Sequence, residues 1–201
     1  MAYASWVTPS VVSGSGDATV NWTGSVHTGR NSRSTTATFS ASGVESKTLT
    51  INQAGKAEFV TIDSTASVAK TGGSVTISGT SNSSKLTFSL TGTNGIGLVL
   101  PASYTANSVN TNNGTAITGD PGATQQYSFS ITFTGIGENT SIAALTSQLT
   151  VAPNSGTAAT CDITQAAGDA YLTISPTTIN LTAAGTAVSV SVSSNTSWTV
   201  S

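Results

Sequence analysis

Apolar and polar residues alternate in short runs through most of this chain, and Gly, Asn and Ser separate the runs. A period of two places every second side chain on one face, the pattern of a strand with one side against a core. It predicts strands at Ala18–Trp22, Thr35–Ser40 and Lys47–Gln53, and then at Glu58–Ile62, Ser74–Gly79, Lys85–Leu90, Gln126–Phe133, Ser147–Ala152 and Ala158–Gln165. Four more follow at Tyr171–Ser175, Thr178–Thr182, Ala187–Val192 and Ser197–Val200. Tyr104–Gly122, rich in Asn, Gly, Thr and Ala, reads as an inserted loop or irregular hairpin. No segment carries a helical period, although Thr140–Thr146 has room for one short turn. The expected fold class is all-β.

An internal repeat groups these strands. KTLTINQAGKAEFVTI (47–62) aligns with ATCDITQAAGDAYLTI (159–174), setting Ile51 against Ile163, Gln53 against Gln165, Phe59 against Tyr171 and Ile62 against Ile174. SVTIS (74–78) aligns with AVSVS (187–191), SNSSKLTFS (81–89) with SNTSWTVS (194–201), and TTATFSASG (35–43) with SQLTVAPNSG (147–156). A period of about 110 residues suits one immunoglobulin-like sandwich per repeat. Divided on that period, residues 57–168 are one complete repeat, 1–56 the second half of another and 169–201 its first half. The expected architecture is therefore one complete central immunoglobulin-like β-sandwich plus a second domain split between the N- and C-terminal segments.

Composition narrows the chemistry. Charged residues are 7% of 201, the net charge is −2, and six Lys and Arg are scattered. No basic patch favours nucleic acid or an anionic membrane. No apolar run approaches the roughly 18 residues of a membrane-spanning helix, and MAYASWVTPS lacks the basic and apolar regions of a secretory signal. Cys161 is the lone cysteine, so no intrachain disulfide is expected; it stands at an apolar strand position as a buried, inert thiol. His27, the only histidine, lies in the Gly-rich turn GSVHTGRNSR (24–33), which excludes His-based triads and multi-His metal sites. The eight carboxylates include no pair that the strand order must bring together as a glycosidase requires. We expect no catalytic residues, no metal site, no cofactor and no enzymatic activity.

Several motifs resemble a known family. SSNTSWTVS (193–201), ASWVTPSVVSGSG (4–16), RSTTATFSASG (33–43) and LTINQAG (49–55) resemble successive signatures of the BACON domain, an immunoglobulin-like module of Bacteroidota surface proteins and crAss-like phages. The family order runs from the Ser-Asn-x-x-Trp strand to the Gln-Ala-Gly strand. Here the first signature is C-terminal and the rest are N-terminal, and the segments that hold them, 169–201 and 1–56, together span 89 residues, about one such domain. The central copy departs from the pattern: Leu86 replaces the tryptophan and the 104–122 insertion is unmatched. The resemblance implies packing of Trp6 and Trp198 in a core or seam, a virion-surface setting such as capsid decoration, fibre or appendage, and glycan binding as a second role.

The terminal segments define the candidate sites. Left uncovered, Val188, Val190, Val192 and Trp198 would each forfeit roughly 1.5–3 kcal/mol of burial, and open strand edges invite pairing. An odd-stranded sandwich separates its ends by roughly 25 Å, whereas the joints Gly55-Lys56-Ala57 and Gly168-Asp169-Ala170 reach roughly 10 Å each. An even strand count would bring those ends together and permit closure within one chain. A longer tandem array is a third arrangement. The leading expectation is that residues 169–201 complete residues 1–56 of a neighbouring copy, head to tail, through Trp6, Val7, Val188, Val190, Val192, Trp198 and Val200. Other virion proteins are possible further partners. Sugars stack on exposed rings, so Tyr104 and Tyr127, flanking the insertion, are candidates for host or mucin glycans. Arg30 and Arg33 read as solvated turn residues able to meet anionic glycans.

Overall fold

The alternating runs form strands wherever a neighbouring strand is present to complete the ladder. The computed structural model describes residues 3–92 and 95–201, and among these there is no helix. In the N-terminal segment β1 (Val7–Pro9) pairs with β2 (Trp22–Gly24), and β3 (Arg33–Phe39) pairs with β4 (Lys47–Gln53), both antiparallel. The central segment contributes β5 (Val60–Ile62), β6 (Thr65–Val68), β7 (Gly73–Ser81), β8 (Leu86–Thr91), β9 (Ser103–Ala106), β10 (Val109–Asn112), β11 (Tyr127–Ile136), β12 (Leu145–Pro153) and β13 (Ala159–Gln165). The C-terminal segment holds β14 (Leu172–Ser175) paired with β15 (Ser191–Ser194).

The central strands make a two-sheet sandwich. One sheet has the order β10-β9-β11-β7-β5 and the other β6-β13-β12-β8. Read in chain order this is the ABED-on-CFG arrangement of an immunoglobulin-like domain, with β6 a first-strand continuation that switches sheets and β10 an added edge strand. Ile77, Phe129, Ile131 and Phe133 from the first sheet meet Leu86, Phe88, Leu149, Val151, Cys161 and Ile163 from the second, all buried. Phe88 sets its ring edge-on to Phe129 at 5.8 Å and against Tyr104 at 4.5 Å. The expected insertion is partly a hairpin: β9 and β10 turn through Asn107 and Ser108, both at positive φ, as a two-residue primed turn needs.

Strand direction places the ends of this body. β6 runs parallel to β13, pairing Asp162 with Thr65 and Gln165 with Val68. The chain therefore enters at one pole and leaves at the other, separated by the length of β13, roughly 23 Å for seven residues. Residues 1–56 contact the entry pole and residues 169–201 the exit pole, where Lys70 pairs with Asp169.

Several expected strands are shorter or absent. Of Ala18–Trp22 only Trp22 lies in a strand, Ala187–Val192 is replaced by Ser191–Ser194, and Thr178–Thr182 and Ser197–Val200 are not strands. Each has an apolar face, but outside Trp22, Ser191 and Val192 none of these residues pairs with a strand among the described residues. Thr140–Thr146 forms no helical turn; the Asn139 side chain shapes this loop by bonding Ala143 O and Ala166 O, both at 2.9 Å.

Candidate assembly interface

The repeat holds at the level of individual hydrogen bonds. β3 and β4 pair in the same register as β12 and β13: Thr35 faces Ile51 as Ser147 faces Ile163, and Phe39 faces Lys47 as Val151 faces Ala159. β14 and β15 likewise reproduce β5 and β7, with Leu172 opposite Ser194 as Val60 is opposite Ser81. Asn82 closes the central hairpin by accepting from Phe59 N at 2.8 Å and donating to Ala57 O at 3.0 Å. Asn195 does the same, accepting from Tyr171 N at 3.0 Å and donating to Asp169 O at 2.9 Å. Gln53 Nε2 donates to Ser25 O at 2.9 Å, and its counterpart Gln165 donates to Gly137 O at 2.8 Å. The N-terminal hairpin β3–β4 thus matches the register of β12–β13, and the C-terminal hairpin β14–β15 that of β5–β7.

What differs is cover. Val151 and Cys161 are fully buried, while their counterparts Phe39 and Leu49 are 44% and 38% exposed. Ile77 is fully buried, while Val190 is 39% exposed. No strand of residues 169–201 pairs with a strand of residues 1–56 among the described residues.

The expected interface residues divide between these two faces. Val7 is buried and Trp6 half-buried beneath Arg33, whose guanidinium carbon lies 4.4 Å from the ring centre. Trp22 is half-buried, edge-on to Tyr3 at 5.3 Å and to Phe39 at 6.4 Å. Between β1–β2 and β3–β4 lies an open groove of about 550 Å³, lined by Tyr3, Val11, Val12, Val20, Trp22, Ala37 and Phe39. At the other end of the chain, Val192 is half-buried and Val188, Val190, Trp198 and Val200 are exposed. Among the described residues no strand of the first set pairs with a strand of the second.

Neither candidate sugar-binding tyrosine is exposed. Tyr104 and Tyr127 are both 3% accessible, because β9 and β11 turn these rings into the sandwich and not toward the inserted segment. Tyr127 donates its hydroxyl to Ser83 O at 2.7 Å, and burial pushes its pKa up to about 12. Burial also raises that of Tyr104, whose Oη faces the Leu86 backbone without an aligned hydrogen bond. A ring enclosed on both faces has none to offer a sugar. The Cys161 thiol is buried and its pKa raised, first by burial and then by the Asp63 and Asp162 charges.

Arg30 and Arg33 are not free turn residues either. Arg30 makes a two-pronged pair with Asp120, at 2.7 and 2.8 Å, and donates to Asn82 O at 2.6 Å. Its Nε lies 2.8 Å from Glu58 Oε1, an ion pair by distance whose N–H is not aligned for a hydrogen bond. Burial opposes ionisation of Glu58, but hydrogen bonds from the Ser84 and Ser155 amides and hydroxyls outweigh it and hold the carboxyl below its ordinary pKa. Asp120 is also shifted down: burial opposes its charge, and the Arg30 and Gly122 contacts prevail. Together they fasten residues 1–56 to the central body. Sequence reasoning missed this cluster because its members lie in three loops with no shared spacing. Arg33 is held by Gln53 Oε1 at 2.8 Å and Ser25 O at 2.9 Å.

The joints repeat as well. Lys56 N donates to Gly29 O at 2.8 Å, and Gly168 N donates to Ser141 O at 2.7 Å. A Cβ on Gly55 would lie 1.8 Å from Arg30 O, and one on Gly168 2.4 Å from Asn139 O, so both joints need glycine for close approach. His27 stands where Asn139 stands in the other copy, and its Nε2 donates to Asn31 O at 2.6 Å. No family model, curated protein or solved structure matches this chain.

Proposed function

We propose that this protein is a non-enzymatic structural component that assembles with copies of itself head to tail by strand exchange. One observation carries the reading: the terminal segments repeat complementary parts of the central sandwich in the same register, yet leave uncovered the faces that this sandwich buries. A second copy supplies the missing half without a return path. Such a contact joins unlike surfaces, so it extends into a fibre or closes into a ring. The motif resemblance supports a virion-surface setting, as a capsid decoration, fibre or appendage. Glycan binding has no support from Tyr104 or Tyr127, since both rings are enclosed. Negative-stain microscopy of the full chain and of a chain lacking residues 193–201 tests the reading. Filaments or rings are expected for the first and single particles for the second. Indistinguishable fields of assemblies would sink it.

A further inference from the structure

We propose that the groove between β1–β2 and β3–β4 seats residues 187–201 of a second copy of this chain in one fixed register, with Thr199 opposite Ser40 and Val200 opposite Phe39. The inference rests on the head-to-tail reading and adds the strand, the edge and the pairing.

The central sandwich supplies the template. There β8 adds to the open side of β12, setting Leu86 opposite Pro153, Thr87 opposite Ala152 and Phe88 opposite Val151. β3 pairs with β4 as β12 pairs with β13, while its other edge has no neighbouring strand among the described residues. The Ser-Asn motif that precedes β8 also precedes Trp198, with one residue fewer between Asn195 and Trp198 than between Asn82 and Leu86. Matching the apolar alternation Trp198, Val200 to Leu86, Phe88 across that one-residue deletion aligns Trp198 with Leu86 and Val200 with Phe88. Carrying the β8–β12 pairing over by these equivalences puts Trp198 opposite Ala41, Thr199 opposite Ser40 and Val200 opposite Phe39.

Side-chain volumes agree with that register. Phe88 faces Val151 in the central body; in the composite domain Val200 faces Phe39, the same large and small partners with sides exchanged. Leu86 faces Pro153, whereas the larger Trp198 faces the smaller Ala41. Cores accept changes that conserve total volume far better than changes that do not. Shifting the strand by one residue would turn Trp198 and Val200 away from the groove, so slippage is strongly opposed. The occupant comes from another copy, because the chain's own 187–201 segment departs from the exit pole while the groove lies at the entry pole.

Two variants, each adding one exposed cysteine to a chain whose own Cys161 is buried, test the register. Ser40 and Thr199 are exposed, and directly opposed residues of an antiparallel pair lie within disulfide reach. Ser40→Cys and Thr199→Cys chains, mixed and mildly oxidised, are expected to give a linked dimer on a non-reducing gel that neither gives alone. Thr38→Cys mixed with Thr199→Cys samples a two-residue slip and is expected to link far less. Preferential linkage at Thr38, or no linkage in mixtures that still sediment as assemblies, overturns the register and leaves head-to-tail assembly standing. Mixtures that sediment as single chains overturn both.

Discussion

Replacing Trp198 by alanine removes the largest exposed side chain of the C-terminal segment, the one that the proposed contact between copies would cover. The ring is 48% exposed in the isolated chain, whereas Leu86, its counterpart in the complete sandwich, is fully buried. A tryptophan buries up to about 250 Å², so seating the exposed share removes about 120 Å² from water, worth about 3 kcal/mol at ~25 cal/mol per Å². Each 1.4 kcal/mol is tenfold in affinity, so Trp198→Ala is expected to weaken association roughly 100-fold. Sedimentation velocity over a concentration series reads that shift directly. Urea unfolding of the central sandwich should stay unchanged, because Trp198 is outside its buried cluster. Unchanged association in the variant would refute the reasoning, since it would leave the ring in solvent in the assembled state.

Two further substitutions probe how the chain holds its own parts together. Glu58→Gln leaves the Ser84 and Ser155 donors and the Arg30 charge facing a neutral amide with one acceptor; a loss of about 3 kcal/mol in urea unfolding at neutral pH is expected. Because the folded-state pKa of Glu58 lies below its ordinary value, its contribution is fully present above the ordinary carboxylate range and fades as pH falls through the folded value. The gap between parent and variant should therefore close in acid, and a gap independent of pH would contradict the assigned charge. Gly55→Ala puts a methyl against the Arg30 carbonyl and is expected to cost about 1–3 kcal/mol. Gly137→Ala, with open space around it, serves as the neutral comparison.

Period-two alternation located Lys47–Gln53 to the residue, where β3 completes the ladder, and the long central strands to within three residues at either end, because these pack one face on a core and have neighbours. The same signal overreached at Ala18–Val20, Thr178–Thr182 and Ser197–Val200, where the pattern is present but the described residues form no strand. β6 went unseen: four residues at a sheet edge carry too little pattern, yet its parallel pairing with β13 decides where the chain ends leave the sandwich. Tyr104 and Tyr127 were misjudged because proximity to a polar insertion says nothing of which face a strand residue presents. The Arg30 cluster joins residues 30, 58 and 120 through loops alone, and no local spacing encodes such a meeting.

Mass as a function of concentration tests the central claim most directly. Sedimentation equilibrium of the unmodified chain is predicted to give a weight-average mass that rises above the 20.0 kDa of one chain as concentration increases, and to fall back toward it when residues 193–201 are removed. A mass fixed at that of one chain across the micromolar range, with a single cooperative unfolding transition, would contradict head-to-tail completion.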